Sequence, residues 1–302
     1  MLQTKENTVK IEGILSEINL KYGSFKKNGA DVKSVGGSIK IRVEQEINKV
    51  MTTLEVPVYM FASQYTNNGN PNPAYESIER VMNEYVSIAA SDIDHADCVR
   101  ITKGEISMNE YYGQNGKLNS YPRIRASFVT KVKREELRPT ASFSVVFMIG
   151  NQGFKTDAEG VETDRYEITG FVPQYGEKID VVPFVVLNKG VIDAVSNYWN
   201  QGDTVKASGK LNFSSYSEAT TVETDFGEPE EQIRTVVVSD LVITGGSQTP
   251  LEGDFALNED DVKAALARRK EQLNALKDRN ANRGTSGKAP AASGSKFGAL
   301  GF

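Results

Sequence analysis

The sequence is poor in the residues that build disulfide frameworks and metal centres. Its 302 residues include a single cysteine, Cys98, and a single histidine, His95. Disulfides need cysteine pairs, and zinc sites need several Cys or His ligands at short spacing. We therefore expect neither a disulfide nor a bound metal. The unpaired cysteine favours a reducing, cytoplasmic compartment.

Long apolar runs and export signals are also missing. No segment approaches the roughly 20 apolar residues that a membrane-spanning helix needs, and residues 1–13 contain no apolar signal-type stretch. The formal net charge is -5, so the chain as a whole is not a polycation of the kind that coats duplex DNA. We expect no membrane partner, and any nucleic-acid site must be a local patch.

Catalytic motifs are equally sparse. The run SDIDHAD, residues 91–97, gathers three aspartates around the histidine, but it lacks the glycine and the distal glutamate of a calcium loop. The run SGKAP, residues 286–290, has alanine after Lys288, where a phosphate-binding loop needs serine or threonine. With one histidine and no marked nucleophile, we expect a protein without cofactor that is not an enzyme.

Hydrophobic periodicity predicts strands and one helix in the N-terminal half. Alternating apolar and polar residues predict strands, and the apolar spacing that follows Ala74 predicts a helix. The predicted strands are 8–20, 36–47, 54–62, 97–109 and 123–133. Three strands, a helix and two strands is the element order of the five-stranded Greek-key barrel called the OB fold.

The same order recurs in the C-terminal half. The predicted strands there are 141–150, 164–171, 178–187, 202–213 and 233–245, with a helical run at 190–201 that carries Trp199 as a plug. The run ADCVRITKGEISM aligns with GDTVKASGKLNF, and RIRASFVTKV aligns with QIRTVVVSDLV. We therefore predict a mainly β protein of two tandem OB barrels, each with a helix between its third and fourth strands.

One irregularity distinguishes the two fourth strands. In the second copy the apolar residues keep one parity, as a regular strand requires. In the first copy Val99 and Ile101 are odd, whereas Ile106 and Met108 are even. A bulge near Gly104 is therefore predicted, with one extra residue in the first copy.

Composition changes after the second predicted barrel. Residues 258–279 begin with asparagine and three acids and end with Lys and Arg, which predicts a capped helix, and the residues beyond it are small and polar. We predict three parts. Residues 1–136 form a nucleic-acid-binding OB fold, residues 137–250 a second OB fold with acidic loops, and residues 251–302 a helix with a disordered tail.

Basic and aromatic residues concentrate where an OB barrel binds its ligand, across strands two and three and under two flanking loops. In residues 21–36 four lysines outnumber one aspartate, and in residues 109–125 three basic residues outnumber one glutamate. Cations that follow a phosphate backbone and rings that stack on bases suit single-strand binding. The predicted nucleic-acid-binding residues are Tyr22, Phe25, Lys26, Lys27, Lys40, Arg42, Tyr111, Tyr112, Lys117, Tyr121, Arg123 and Arg125.

The corresponding loops of the second copy are acidic. Residues 151–165 carry two basic and four acidic residues, and residues 214–234 carry one basic and six acidic residues. Such loops repel phosphate. We predict that the second barrel supports the first, binds a partner protein, or limits how DNA leaves.

The tail ends in spaced apolar residues that an otherwise polar segment cannot bury by itself. Phe297, Leu300 and Phe302 are therefore predicted to bind a partner protein.

The run DCVRITKGEISMNEYYGQNGKLNSYPRIRASFV resembles the OB-fold single-stranded DNA-binding proteins, in particular divergent bacteriophage ones. The resemblance implies coating of single-stranded DNA during replication, recombination or repair, in the cytoplasm of a bacterial host if the chain is phage-encoded. Such proteins often end in an acidic tail whose terminal phenylalanine recruits replication proteins. Phe302 matches that tip, but the segment has no acid after Asp278 and carries Arg279, Arg283, Lys288 and Lys296. A basic tail could contact DNA instead.

Two other functions remain open on the sequence. One is a virion structural or adaptor protein that uses tandem barrels for protein contacts, and the other is a recombination mediator that binds DNA and loads a partner. RNA also remains open as a ligand, because stacking on aromatic residues tolerates either nucleic acid.

Overall fold

The computed structural model describes residues 1–113, 115–157, 159–222 and 230–285. The strands of the first half are β1 (Asn7–Lys27), β2 (Ala30–Ile47), β3 (Val50–Ser63), β4 (Cys98–Tyr112), β5 (Leu118–Arg125) and β6 (Thr130–Val132). Those of the second half are β7 (Thr140–Thr156), β8 (Glu162–Gln174), β9 (Lys178–Val186), β10 (Thr204–Val222) and β11 (Glu230–Gly246). The helices are α1 (Pro73–Glu84), α2 (Lys189–Tyr198) and α3 (Glu259–Thr285).

The five main strands of the first half form a closed cycle of pairings, which we call the N-terminal strand unit. β1 pairs antiparallel with β2, β2 with β3, and β5 with β4, which returns to β1. The cycle closes through a parallel pairing of β3 with β5 at Val58 and Ile124. Helix α1 lies between β3 and β4 in the chain.

The C-terminal strand unit repeats this cycle. β7 pairs with β8, β8 with β9, and β11 with β10, which returns to β7. A parallel contact of Val185 with Val242 joins β9 to β11, and α2 precedes β10. The mainly β character and the C-terminal helix predicted from the sequence are confirmed.

Asparagine caps begin the two shorter helices. Asn72 Oδ1 accepts a hydrogen bond from the backbone nitrogen of Ala74, and Pro73 occupies the first turn, where its missing N–H costs nothing. The helical spacing of Tyr75, Ile78 and Val81 then buries one face of α1. Helix α2 begins in the same way at Asn188.

The predicted bulge in β4 is confirmed. Val9 pairs with Gly104, but Ile11 pairs with Ile101, so β4 contains one residue more than β1 over this interval. The pairing of β10 with β7 has no such shift. The extra residue returns Ile106 to the buried face of the sheet.

One of the two predicted sequence alignments is wrong. Ile106 pairs with Ile124 in the first unit, and Leu211 pairs with Leu241 in the second. Ile124 therefore corresponds to Leu241 and not to Ile233 or its neighbours. Because β11 is 17 residues long and β5 only 8, the start of β11 is an extension that β5 lacks, and Ile233 lies in that extension.

The four predicted loops are largely strands. The segment 21–36 is a hairpin in which β1 and β2 pair up to Lys27 and Ala30. Asn28 and Gly29 form its turn with φ angles of 50° and 81°, a left-handed pair that suits a two-residue hairpin. The segments 109–125, 151–165 and 214–234 likewise continue as paired strands, and residues 223–229 of the last lie outside the described residues.

The first strands of the two units pair with each other. β1 and β7 are antiparallel from Asn7–Val145 to Glu12–Thr140, centred on Val9 opposite Phe143. These two residues occupy equivalent places, because Val9 pairs with Gly104 and Phe143 pairs with Gly209. The two units are therefore related by an approximate twofold relation, and their buried residues form one continuous apolar cluster.

Two glutamines repeat this twofold relation across the contact. Gln45 is buried, donates to the carbonyls of Ala141 and Leu211 at 3.0 and 3.1 Å, and accepts from the Ala141 nitrogen at 2.9 Å. Its counterpart Gln174 donates to the Ile106 carbonyl at 3.0 Å. Each unit thus satisfies backbone groups of the other.

Trp199 plugs the second unit, as predicted. Its side chain is buried, its ring lies edge-on to Phe147 at 6.3 Å, and Nε1 donates to the Ser247 carbonyl at 2.9 Å. Among the described residues no helix combines the length and apolarity that a membrane span requires.

Helix α3 packs on the outside of the C-terminal strand unit. Its Val262, Ala265 and Leu266 contact a small apolar cluster that includes Met148, Phe171, Ile179, Leu2 and Leu257. The terminal amine of Met1 binds Asp261 at 2.9 Å. The helix therefore covers part of the outer sheet face of this unit.

The contact between the units makes a stability prediction. We expect Gln45→Ala to lower the free energy of unfolding by about 2–4 kcal/mol, because buried backbone groups of Ala141 and Leu211 lose their partners. Gln174→Ala is the matched control, and we expect it to cost about 1 kcal/mol, since Asn7 Nδ2 still donates to the Ile106 carbonyl. Urea unfolding of both variants measures this; equal losses would contradict the assignment.

Candidate nucleic-acid interface

The outer surface of β3 carries two exposed aromatic residues. Leu54, Val56, Val58 and Met60 alternate into the core and are buried. The intervening positions point outward, so Tyr59 is partly exposed and Phe61 is 57% exposed. Exposed aromatic residues that extend into a contiguous patch mark a candidate surface for ligand contact.

Neighbouring strands extend this surface. The Phe25 ring, from the β1–β2 hairpin, lies 6.0 Å from the Phe61 ring. Tyr111 and Tyr121, from the β4–β5 hairpin, contact edge to face at 6.2 Å. We call these five residues, together with Arg123 and Arg125, the aromatic face.

Strand register places the two arginines among the aromatic residues. Arg125 pairs with Tyr59 across the parallel β3–β5 contact and is exposed. Arg123 lies on the same side of β5, and its guanidinium sits 5.4 Å from the Tyr59 ring centroid, within cation–π range.

Burial and the nearby Arg125 lower the pKa of Arg123 below its ordinary value, although a guanidinium stays charged at neutral pH. Arg123 Nε is buried and has no hydrogen-bond partner among the described residues. A half-buried cation with an unused donor lies at the centre of the face.

A glycine beneath the face allows the aromatic residues to lie close to β2. Gly36 pairs with Phe61, and an added Cβ at Gly36 would come within 2.9 Å of the Phe61 ring and 2.8 Å of the Met60 carbonyl. A larger residue at Gly36 would therefore displace Phe61.

Lys40 and Arg42 lie on the outer side of β2, at the far end of the face, and both are paired with acids. Lys40 Nζ contacts Glu17 at 2.6 Å, and this hydrogen bond lowers the pKa of the Glu17 carboxyl. Arg42 lies 3.6 Å from Glu44. Their positive charge is thus partly neutralised, and the arginines of β5 carry more of the charge available to a ligand.

Not every predicted binding residue lies on this face. Tyr22 has the opposite orientation from Phe25: its Oη donates to Glu79 of α1 at 2.7 Å and accepts from Asn83 at 3.3 Å. Tyr112 is half-buried and alternates to the side opposite Tyr111. The structure therefore separates Tyr22 and Tyr112 from the aromatic face.

The remaining predicted lysines lie at the hairpin ends. Lys26 and Lys117 are exposed, and Lys27 Nζ donates to Asn67 Oδ1 at 2.7 Å. The predicted partner-binding residues Phe297, Leu300 and Phe302 lie outside the described residues.

The residues predicted from the sequence do not include Tyr59 and Phe61. Their signal is the alternation in LEVPVYMFA, residues 54–62, where every second residue from Leu54 is a small or medium apolar core residue. That parity leaves two large aromatic residues on the outer side of a strand, where packing alone does not require them.

The equivalent surface of the C-terminal strand unit has a different composition. Arg123 pairs with Ser107 and Asp240 pairs with Asn212, so Asp240 stands where the first unit has Arg123. Both Asp240 oxygens accept from Arg165 at 2.8 Å, and Arg165 Nε donates to Glu167 at 2.8 Å. These carboxylates neutralise the arginine and raise its pKa above the ordinary value.

Helix α3 covers another part of that surface. Ile14 pairs with Arg42 in the first unit and Met148 with Phe171 in the second, so Phe171 stands in the place of Arg42. Phe171 packs against the apolar cluster under α3. Residues on this surface of the second unit thus contact other parts of the chain, whereas the equivalent surface of the first unit is exposed.

The described residues contain no group of three His, Cys, Asp or Glu side chains that could hold a metal ion. His95 is exposed, and its Nδ1 lies 2.8 Å from Asp92 Oδ1.

Comparison with known proteins gives a family match and remote structural likenesses, two of which follow. The crystal structure of the wild-type single-stranded DNA binding protein from Thermus aquaticus matches with a TM-score of 0.47 and 8% identity, over 83% of this chain and 96% of that chain. A deletion mutant of that protein matches with a TM-score of 0.43 and 10% identity, over 82% and 95%. These values assign no function. No curated protein sequence matches. The sequence model named YorF matches residues 5–279, and the chain therefore belongs to the YorF family.

Proposed function

We propose that this chain is a non-catalytic protein that binds single-stranded DNA on the aromatic face of its N-terminal strand unit. The observation that carries the proposal is the juxtaposition of Tyr59 with Arg123 and Arg125, flanked by exposed aromatic residues from two hairpins. Stacked bases need such rings, and phosphates need such cations.

We further propose that the two strand units are tandem OB barrels. The support is their shared cycle of five strands, with a helix between the third and fourth strands and a parallel closure between the third and fifth. The corresponding division is 1–136 for the binding barrel, 137–250 for the supporting barrel and 251–302 for the C-terminal helix and tail.

The two barrels divide the work in this proposal. Stacking and phosphate contacts occur on the first barrel, where Phe61 and Arg125 are exposed. In the second barrel Asp240 is bound to Arg165, and Phe171 packs near α3. Single-stranded DNA would therefore make few stacking or phosphate contacts there. Support of the first barrel is its main role.

The biological setting in this proposal is coating of exposed strands during replication, recombination or repair, with a bacteriophage origin. Its support is the resemblance of residues 97–129 to single-stranded DNA-binding proteins. Recruitment of replication or recombination proteins is assigned to Phe297, Leu300 and Phe302 of the tail.

Binding to different nucleic acids tests the function directly. We expect the chain to shift single-stranded DNA and to bind duplex DNA of equal length at least about tenfold more weakly, because paired bases are not free to stack. Affinity should fall with salt, with a logarithmic slope of about 0.7 for each phosphate neutralised.

A gel-shift series at two ionic strengths, with RNA of equal length as a third ligand, measures these quantities. Equal affinity for duplex and single strands, or no shift at low salt, would contradict the proposal. Preference for RNA would assign the same face to that ligand.

Neighbouring tyrosines test which side of the β4–β5 hairpin binds. We expect Tyr111→Ala to raise the dissociation constant about 5- to 150-fold, equivalent to about 1–3 kcal/mol for one stacked base. Tyr112→Ala removes the same ring from the opposite side of the strand and should leave affinity nearly unchanged. Both variants are titrated with labelled DNA after their melting curves are recorded. Equal effects from both variants would contradict the proposal that DNA binds on the aromatic face.

Intrinsic fluorescence locates the ligand on one unit. Trp199 is buried in the second unit, whereas Tyr111 and Tyr121 are exposed on the first. We expect a bound strand to quench tyrosine emission and to leave tryptophan emission nearly unchanged. Titration with oligonucleotide at separate excitation wavelengths measures both signals. Strong tryptophan quenching would place the strand on the second unit.

A further inference from the structure

The β4–β5 hairpin carries two aromatic residues of the face, yet one edge of it has no strand partner. β4 pairs with β1 only as far as Gly104 and continues to Tyr112 with β5 on its other side. No strand of the described residues pairs with the second edge of β4 between Glu105 and Tyr112. A two-stranded hairpin is marginally stable by itself.

Side chains from elsewhere bond the backbone of this open edge at Ile106 and Met108. At Ile106, Asn7 bonds both backbone groups and Gln174 bonds the carbonyl. At Met108, the backbone nitrogen donates to Asp180 Oδ2 at 3.0 Å. Gln174 and Asp180 belong to the C-terminal strand unit, so that unit, together with Asn7 of β1, holds the part of the hairpin nearest the core.

Helix α3 holds the outer half. Arg269 forms a mostly buried ion pair with Glu110, whose carboxylate also accepts from Ser120 Oγ on β5. About three turns further along α3, Asn280 Nδ2 lies 3.3 Å from the Tyr112 carbonyl and 3.1 Å from the Gly113 carbonyl. These contacts bracket Tyr111 on both sides in sequence.

The helix itself is anchored away from the aromatic face. Its apolar side packs on Met148, Phe171 and Ile179 of the second unit. Arg268 points to the β8–β9 turn of that unit, where it contacts Glu177. Helix α3 thus connects the hairpin to the C-terminal strand unit and fixes its position relative to that unit.

We propose that Arg269 and Asn280 are positioning residues for single-strand binding, which hold the β4–β5 hairpin so that Tyr111 and Tyr121 face the ligand. This inference rests on the proposed function. Glu110 points toward α3 while Tyr111, the next residue, points to the aromatic face, so fixing one side chain fixes the orientation of the other. Neither positioning residue contacts DNA in this scheme.

Adjacent arginines of α3 provide the matched test. Arg269→Gln removes the hairpin contact, and Arg268→Gln removes the same charge from the neighbouring position that binds the second unit. We expect Arg269→Gln to weaken binding of a labelled single-stranded oligonucleotide at least about fivefold, at the lower limit of ordinary coupling between sites, and Arg268→Gln to weaken it less than twofold. Both variants lose one positive charge, so any effect of net charge on binding is the same for both.

A second variant covers the case in which Arg269→Gln does not fold. Asn280→Ala removes only the bonds to the hairpin tip, and Asn274→Ala, at an exposed position of the same helix, is its control. We expect the first to weaken binding about fivefold and the second to have no effect, with the melting temperature of both unchanged.

The salt dependence separates positioning from direct contact. A positioning residue lowers affinity at every salt concentration and leaves the salt slope unchanged, whereas a phosphate contact lowers the slope by about 0.7. A reduced slope for Arg269→Gln, or equal affinities for each variant and its control, would overturn the inference while wild-type binding stands. Absence of binding by the wild-type chain would instead overturn the proposed function.

Discussion

The antiparallel pairing of β1 with β7 is the constraint on which the rest of the structure depends. It places Val9 opposite its counterpart Phe143 and brings the turn region of each strand unit against the fourth strand of the other. Gln45 then satisfies backbone groups of Ala141 and Leu211, and Gln174 adds a second donor to the Ile106 carbonyl, which Asn7 of the first unit also bonds. Because the apolar core also runs through this contact, the second unit contributes to the shape of the first even if no ligand touches it.

Equivalent backbone positions carry different chemistry in the two units. Asp240 replaces Arg123 and is bound by Arg165, while Phe171 replaces Arg42 and packs near α3. If only the first unit binds a ligand, as proposed, the second unit can use the same backbone positions for internal contacts. The twofold relation therefore holds for the backbone, whereas the side chains at equivalent positions differ between the two units.

Local patterns predicted the order of strands and helices, the bulge near Gly104 and the C-terminal helix, because alternation, parity and capping are read within a few residues. The ends of the hairpins could not be read in this way, since strand pairing beyond the core depends on a partner strand. The site was predicted in part. Local clusters of basic and aromatic residues led to Arg123, Arg125 and Tyr111. Tyr59 and Phe61 lack that combined signal, because residues 50–79 contain no Lys or Arg. The pairing of Lys40 with a glutamate on another strand has no local signal either.

The loss of conformational entropy on binding explains why a helix would hold a hairpin that is proposed to bind DNA. Each residue that becomes fixed on binding loses conformational entropy worth about 1–2 kcal/mol, and a projecting hairpin has few neighbours that could fix it beforehand. Asp180, Arg269 and Asn280 supply such contacts along the open edge of β4. The entropy is then lost when the chain folds, where apolar packing of α3 on the second unit offsets it. Under the proposed function, single-stranded DNA that meets a preformed pair of tyrosines retains more of its stacking energy as affinity.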